Sequence, residues 1–207
     1  MKAQREFLLT LLALLAATAC IANVSAAEKS DLSYCTVCHG AHGNGNVAIR
    51  APKISGMEPW YLRRQLEAFR AGLRGTHPDD SAGHEMQPIG VRLRDEAAIE
   101  AAIEYVAGFT PKTPPITVAG DAVRGRSLYV TCESCHGAKG EGNQALGAPA
   151  LAARTDWYLV TQLQNYKAGL RGNDPRDTNG AQMRAIASTL PDKQAVDDVV
   201  AYINSMR

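Results

Sequence analysis

Cys35-Thr36-Val37-Cys38-His39 and Cys132-Glu133-Ser134-Cys135-His136 are one pentapeptide, C-x-x-C-H, written twice at an offset of 97 residues. The spacing has a definite chemistry. Two thiols separated by two residues can form thioethers with the two vinyl groups of one haem, and the histidine beside the second cysteine is then carried under the iron as an axial ligand. A zinc clip would need four ligands where each motif supplies three, and the export signal read at residues 1–27 weakens both that reading and a cytosolic thioredoxin-like pair. The stretch therefore predicts two covalently bound c-type haems held by Cys35, Cys38, Cys132 and Cys135, with His39 and His136 as proximal iron ligands.

The offset extends well beyond the motifs. It carries Trp60-Tyr61 onto Trp157-Tyr158, Gln65-Leu66 onto Gln162-Leu163, and Ala71-Gly72-Leu73-Arg74-Gly75 onto Ala168-Gly169-Leu170-Arg171-Gly172. Pro52 falls on Pro149, Met86 on Met183 and Tyr105 on Tyr202, with no gap needed. Solenoid repeats have periods of roughly 20 to 50 residues; this period is that of a small whole domain. The chain reads as two homologous modules, residues 28–110 and 118–207, joined by a stiff proline-rich linker over 111–117 that contains Pro111-Lys112-Thr113-Pro114-Pro115. Modules this small have little apolar mass for an unaided core. Haem would supply it, so the apoprotein is expected to fold poorly.

The chain has 207 residues and opens on an export signal, residues 1–27. Lys2 and Arg5 give a positive start, Phe7 to Ala22 is almost wholly apolar, and Val24-Ser25-Ala26-Ala27 offers a small-residue cleavage site. The apolar run is short for a membrane span. Cleavage near Ala26 or Ala27 would remove Cys20 and leave four cysteines, all in the two motifs, and would place the protein in the periplasm. Residues 28–110 hold nine basic and eleven acidic side chains, residues 111–207 eleven and nine. Neither module has the basic face that nucleic acid requires.

Helical periodicity recurs in both modules. Leu62, Leu66 and Phe69 share one face of a helix over Trp60 to Gly72, repeated over Trp157 to Gly169. Asp95 and Asp192 are candidate N-caps for closing helices whose buried faces are Ile99, Ala102, Ile103 and Val106 in one module and Val196, Val199, Val200 and Ile203 in the other. Helices over Glu28 to Cys35 and Asp121 to Cys132 lead into the motifs. No run alternates as a strand would, so the fold class is all-α. The glycine-rich loops Gly40 to Gly45 and Gly137 to Gly142 lack the strand and the Lys-Ser/Thr of a phosphate loop.

The distal ligands come from elsewhere. Met86 and Met183 each lie 47 residues after their histidine, in matched register, which lifts them above ordinary core methionines. Met57 and Met206 have no counterparts and are assigned to packing. His84, two residues before Met86, is a competitor at the first iron; Ala181 holds its place in module two. His42 and His77 are unmatched as well. Pro52 and Pro149 each follow their histidine by 13 residues. Each is either a turn proline or the source of a carbonyl that accepts the histidine Nδ1–H and fixes the ring.

Taken together, the two C-x-x-C-H-G segments, Pro52 and Pro149, Tyr61 and Tyr158 followed by Q-L, the two A-G-L-R-G segments, Met86 and Met183, and the closing helices with Tyr105 and Tyr202 resemble the di-haem cytochrome c4 family over nearly all of the mature chain. The resemblance implies two tandem cytochrome c domains related by pseudo-twofold symmetry, His/Met iron in both, and the carbonyl role for Pro52 and Pro149. It implies a one-electron carrier, with no catalytic residues, between a quinol-oxidising complex and a terminal oxidase of a respiratory chain. Loose membrane association stays open. A cytochrome subunit of a periplasmic dehydrogenase or flavocytochrome complex is the alternative. A di-haem peroxidase is disfavoured, because that class needs an iron able to open. The histidine-rich stretch before Met86 departs from the family pattern.

Overall fold

The computed structural model describes residues 32–207. The expected export signal, and most of the helix expected over Glu28 to Cys35, lie outside the described residues. Among these, the regular elements are helices and two 3-10 turns; extended pairing is confined to the isolated bridges Asn46–Ala51 and Asn143–Ala148.

Module one contains α1 (Tyr34–His39), α2 (Pro59–Arg70), α3 (Ser81–Arg92) and α4 (Glu96–Ala107). Module two contains α5 (Ala122–His136), α6 (Asp156–Lys167), α7 (Thr178–Ala187) and α8 (Lys193–Asn204). Several starts have a local cause. Pro59 sits in the first turn of α2, where its missing N–H is no loss, so the helix begins one residue before the periodicity suggested. Asp95 caps α4 by accepting the Ala98 N–H at 2.8 Å, and Asp192 caps α8 by accepting that of Ala195 at 2.7 Å, as the sequence implied. Asp121 accepts from Val123 N and Arg124 N at the head of α5. That helix does not stop at Cys132: it runs through the whole motif and ends only where Gly137 takes a positive φ of 82°.

The closing helices supply the cores. Ile99, Ala102, Ile103 and Val106 of α4 pack on Leu62 and Leu66 of α2. In module two, Val199, Val200 and Ile203 of α8 pack on Tyr129 of α5, and the Val196 end joins Ala195 and Leu190. Met57 and Met206 pack against these two cores, the role assigned to them. Helices α3 and α7 were not foreseen. Their buried residues are Gly83 and Gly90 in one, Gly180 and Ala187 in the other. They dock through small side chains, which leave no apolar stripe for a periodicity search to find.

No regular element spans the stretch between α4 and α5, and both of its ends are tied down. Lys112 N donates to Asn44 Oδ1 at 2.9 Å. The fully buried carboxylate of Asp156 accepts Thr117 N (2.6 Å), Thr117 Oγ1 (2.7 Å) and Val118 N (3.0 Å). Among the described residues, no helix is long and apolar enough to cross a membrane.

Candidate functional site

Helix α1 places Cys35, Cys38 and His39 within two turns; the end of α5 does the same for Cys132, Cys135 and His136. The outer cysteine of each motif is exposed and the inner one half-buried. Burial raises the thiol pKa of Cys35 to about 11, and that of Cys132 in the same direction, as expected of groups set in an apolar pocket rather than activated in a polar one. His39 and His136 are buried.

Nδ1 of His39 lies 2.7 Å from the carbonyl oxygen of Pro52, and Nδ1 of His136 lies 2.7 Å from that of Pro149. A carbonyl can only accept, so Nδ1 carries the hydrogen and Nε2 of a neutral ring keeps its lone pair. Burial depresses both imidazole pKa values, opposed by the prolyl hydrogen bonds; neutral imidazole is the form that binds a metal. The glycine loops make this geometry. Gly45 N donates to His39 O and Gly142 N to His136 O, folding the chain back so that the proline segment passes close by. At Gly142 (φ 83°) a Cβ would lie 2.5 Å from Ala150 N, and at Gly45 (φ 89°) 2.8 Å from Lys53 N.

In module two a cavity of about 350 Å³ is walled by Cys132, Cys135, His136, Pro149 and Met183 together. Its remaining wall is largely apolar, including Leu159, Leu163 and Val199. Arg64, Arg74, Arg171 and Arg176 also line it. This chemistry fits haem: thiols for the vinyls, a neutral imidazole and a thioether for iron, apolar walls for the macrocycle and cations for its carboxylates. Arg74 Nε is buried without a hydrogen-bond partner among the described residues, as a donor intended for such an anion would be.

Met86 and Met183 both stand half-buried on helices, α3 and α7. His84 is exposed on α3. Two residues on a helix are about 200° apart, so His84 and Met86 face different ways. His42 is exposed and His77 half-buried.

The repeated residues whose role the sequence left open meet at the module interface. Arg74 Nη1 donates to Gln65 Oε1 of its own module (2.8 Å), while Nη2 donates to Tyr158 OH (2.7 Å) and Gln162 Oε1 (3.0 Å) of the other. Arg171 mirrors it, with Nη1 to Gln162 Oε1 (2.7 Å) and Nη2 to Gln65 Oε1 (2.6 Å) and Tyr61 OH (3.5 Å). Both arginines are buried. Burial would raise the Tyr61 phenol, but the charges of Arg171 and Arg74 and the bond from Arg171 hold it below its usual value. Glu58 accepts Ala150 N and Arg154 Nη2, each at 2.7 Å; its twofold mate Thr155 repeats the first contact, accepting Lys53 N on Oγ1 at 3.2 Å, while the ion pair with Arg154 has no mate. The signal for this interface was the repeated A-G-L-R-G itself, where an arginine is kept at one register in both modules.

The cytochrome c family profile matches residues 30–109 and again 122–207. The chain belongs to the cytochrome c family. Within it, the chain belongs to the di-haem cytochrome c4 group. It is 32% identical over 178 residues to cytochrome c4 of Thiocapsa roseopersicina, covering 81% of this chain and 84% of that protein. It is 34% identical over 175 residues to the thiosulfate dehydrogenase electron acceptor of Stutzerimonas stutzeri, covering 80% and 76%. The crystal structure of reduced recombinant cytochrome c4 from Pseudomonas stutzeri matches with a TM-score of 0.66 at 25% identity, over 87% of this chain and 97% of that one. A thiosulfate dehydrogenase from Marichromatium purpuratum matches with a TM-score of 0.65 at 34% identity, over 82% of this chain; the match spans only 35% of the longer protein. The fold is thus two tandem cytochrome c domains, and each C-x-x-C-H binds one covalent haem c.

Proposed function

We propose that the protein is a closed di-haem electron carrier, with His39 and Met86 as axial ligands of the first iron and His136 and Met183 of the second. The observation that carries this is the shared wall: His136 and Met183 line one cavity together with both cysteines of the second motif. The haems supply a one-electron ferric/ferrous couple when bound. The protein's part is to orient the imidazoles through Pro52 O and Pro149 O, to provide soft sulfur that favours the ferrous state, and to keep water from the macrocycle with apolar walls. Held by His39 and Met86 in one module and His136 and Met183 in the other, the irons would offer no substrate site, and the chemistry they supply would be outer-sphere electron transfer. Export to the periplasm, after cleavage near Ala26 or Ala27, fits the haem attachment motifs and the apolar leader. The physiological route is from a quinol-oxidising complex to a terminal oxidase.

The test is reaction of the reduced holoprotein with hydrogen peroxide and with carbon monoxide. A carrier with closed irons shows neither rapid oxidation nor a carbonyl spectrum; either one at stoichiometric yield refutes the proposal and reopens the peroxidase reading.

The similarity to a thiosulfate dehydrogenase electron acceptor, and to part of a thiosulfate dehydrogenase, supports a second reading, in which the donor is a periplasmic dehydrogenase that holds this cytochrome as a subunit. Stable co-purification with such an enzyme, and reduction faster than by a quinol-oxidising complex, would favour it.

A further inference from the structure

The two haem sites are twofold-related, but their walls differ in charge. Arg64, on α2 of module one, crosses the interface. Its guanidinium carbon lies 5.2 Å from the ring centroids of both Trp60 and Tyr61, and Nη1 donates to Gly147 O at 2.7 Å. Gly147 is two residues from Pro149, whose carbonyl receives His136, and both Arg64 and Gly147 line the second cavity. Module one therefore fixes a half-buried cation in the wall of module two's haem site. The offset places Thr161 at the equivalent point of module two, and its hydroxyl donates to Trp157 O of its own helix at 2.9 Å. No charge is returned.

Other cations break the twofold too. Arg176 also lines the second cavity, where Asp79 stands in module one, but it is exposed and paired with Asp174 at 2.8 Å. Lys53, beside Pro52, has Ala150 as its mate, and its Nζ donates to Ala153 O of module two at 3.3 Å. Arg50 occupies the place of Gly147 in module one, but it is exposed and donates to Ser81 Oγ at 2.7 Å, where solvent ions screen it. Glu58 is paired with Arg154, and Glu67 lies 3.8 Å from Arg63. Asp177 has its twofold mate in Asp80, both capping the helix that carries the methionine. Arg74 and Arg171 are exchanged by the twofold and distinguish neither site.

We propose that Arg64 is a potential-setting residue for the second haem, raising its couple through a fixed cation supplied by the other module. Uptake of one electron converts ferric to ferrous iron and removes one positive charge from the site; a fixed cation in a poorly solvated wall favours that product. The inference rests on the His/Met carrier reading above.

The test is spectroelectrochemical titration of the full-length holoprotein, with each couple assigned by NMR of its haem methyl groups, for wild type, R64Q and R64K. In R64Q the reduction equilibrium of the second haem falls on the order of tenfold, about 59 mV for a one-electron couple, and that of the first stays within about twofold. R64K, which keeps the charge, retains most of the wild-type value. An equal shift of both couples in R64Q, or a shift in R64K as large as in R64Q, overturns the proposal, the first because the effect is not local and the second because it is not one of charge. A wild type lacking two sulfur-ligated haems overturns the underlying carrier reading as well, which sets that failure apart from a failure of Arg64 alone.

Discussion

Arg74 and Arg171 share their acceptors, and this makes the module interface non-additive in a predictable sense. Gln162 Oε1 receives Arg74 at 3.0 Å and Arg171 at 2.7 Å; Gln65 Oε1 receives them at 2.8 and 2.6 Å. Donor nitrogens on one oxygen at those distances lie within about 6 Å of each other, and at an effective dielectric of about 20 two unit charges so placed repel by about 3 kcal/mol. Replacing Arg74 by Met removes three charged hydrogen bonds, each contributing about 1.5 kcal/mol or more, but relieves that repulsion, and both amide oxygens keep Arg171. The single variant should therefore lose only about 1–2 kcal/mol of stability, and Arg171→Met the same. The double variant obtains the relief only once and strips both buried oxygens of their last charged donor. Its loss should exceed the sum of the singles by about 3 kcal/mol, the upper end of couplings seen between contacting residues. The haem carboxylates would lower this figure without reversing its sign. Guanidinium denaturation of the four holoproteins, followed by Soret and far-ultraviolet circular dichroism, measures the cycle. Additivity within about 0.5 kcal/mol would refute the shared-acceptor geometry.

Three further outcomes follow from local features. Ala153 holds a positive φ of 55° where its twofold mate is Gly56 at 66°, so Ala153→Gly should stabilise the protein by about 0.5–1 kcal/mol in urea denaturation; a loss of stability would contradict the strain. Burial would raise the Asp156 carboxyl, but the donors Thr117, Val118 and Trp157 hold it below its ordinary value. A depressed carboxylate contributes stability that is complete above the unfolded pKa, near 3.9, and is lost as pH falls through the folded value. The unfolding free energy of wild type should therefore drop more steeply below about pH 4 than that of Asp156→Asn; parallel curves would remove the anchor role. Finally, protein produced with all four motif cysteines replaced by alanine should show no cooperative thermal transition, because each core closes around its haem; a sharp transition would show that the modules fold unaided.

The sequence was most legible where chemistry or amphipathicity repeats. The motifs, the 97-residue register, the Asp95 and Asp192 caps and the buried faces of α4 and α8 all stand as the pattern implied. It was silent on α3 and α7, the helices that carry Met86 and Met183, because they dock through glycine and alanine. At Gly90 a Cβ would lie 2.5 Å from Phe69 Cβ, an approach too close to require an apolar stripe. It was also silent on the interface. Arg74, Arg171, Gln65 and Gln162 are polar residues of surface type, yet all four are buried where the two modules meet. The cross-module reach of Arg64 and Glu58 has no repeat to betray it, since Thr161 and Thr155 stand at the matching positions.

In the proposed carrier each haem is closed by its own methionine. The direct test is the visible spectrum of the exported protein, with a haem count, for wild type, Met86→Ala and Met183→Ala. A closed carrier should show two haems per chain and lose half of the sulfur-to-iron charge-transfer band in each variant, with a lowered potential for that haem alone. If Met86→Ala left the band and both potentials unchanged, a different ligand such as His84, or an open iron, would stand at the first site and the closed-carrier account would be contradicted.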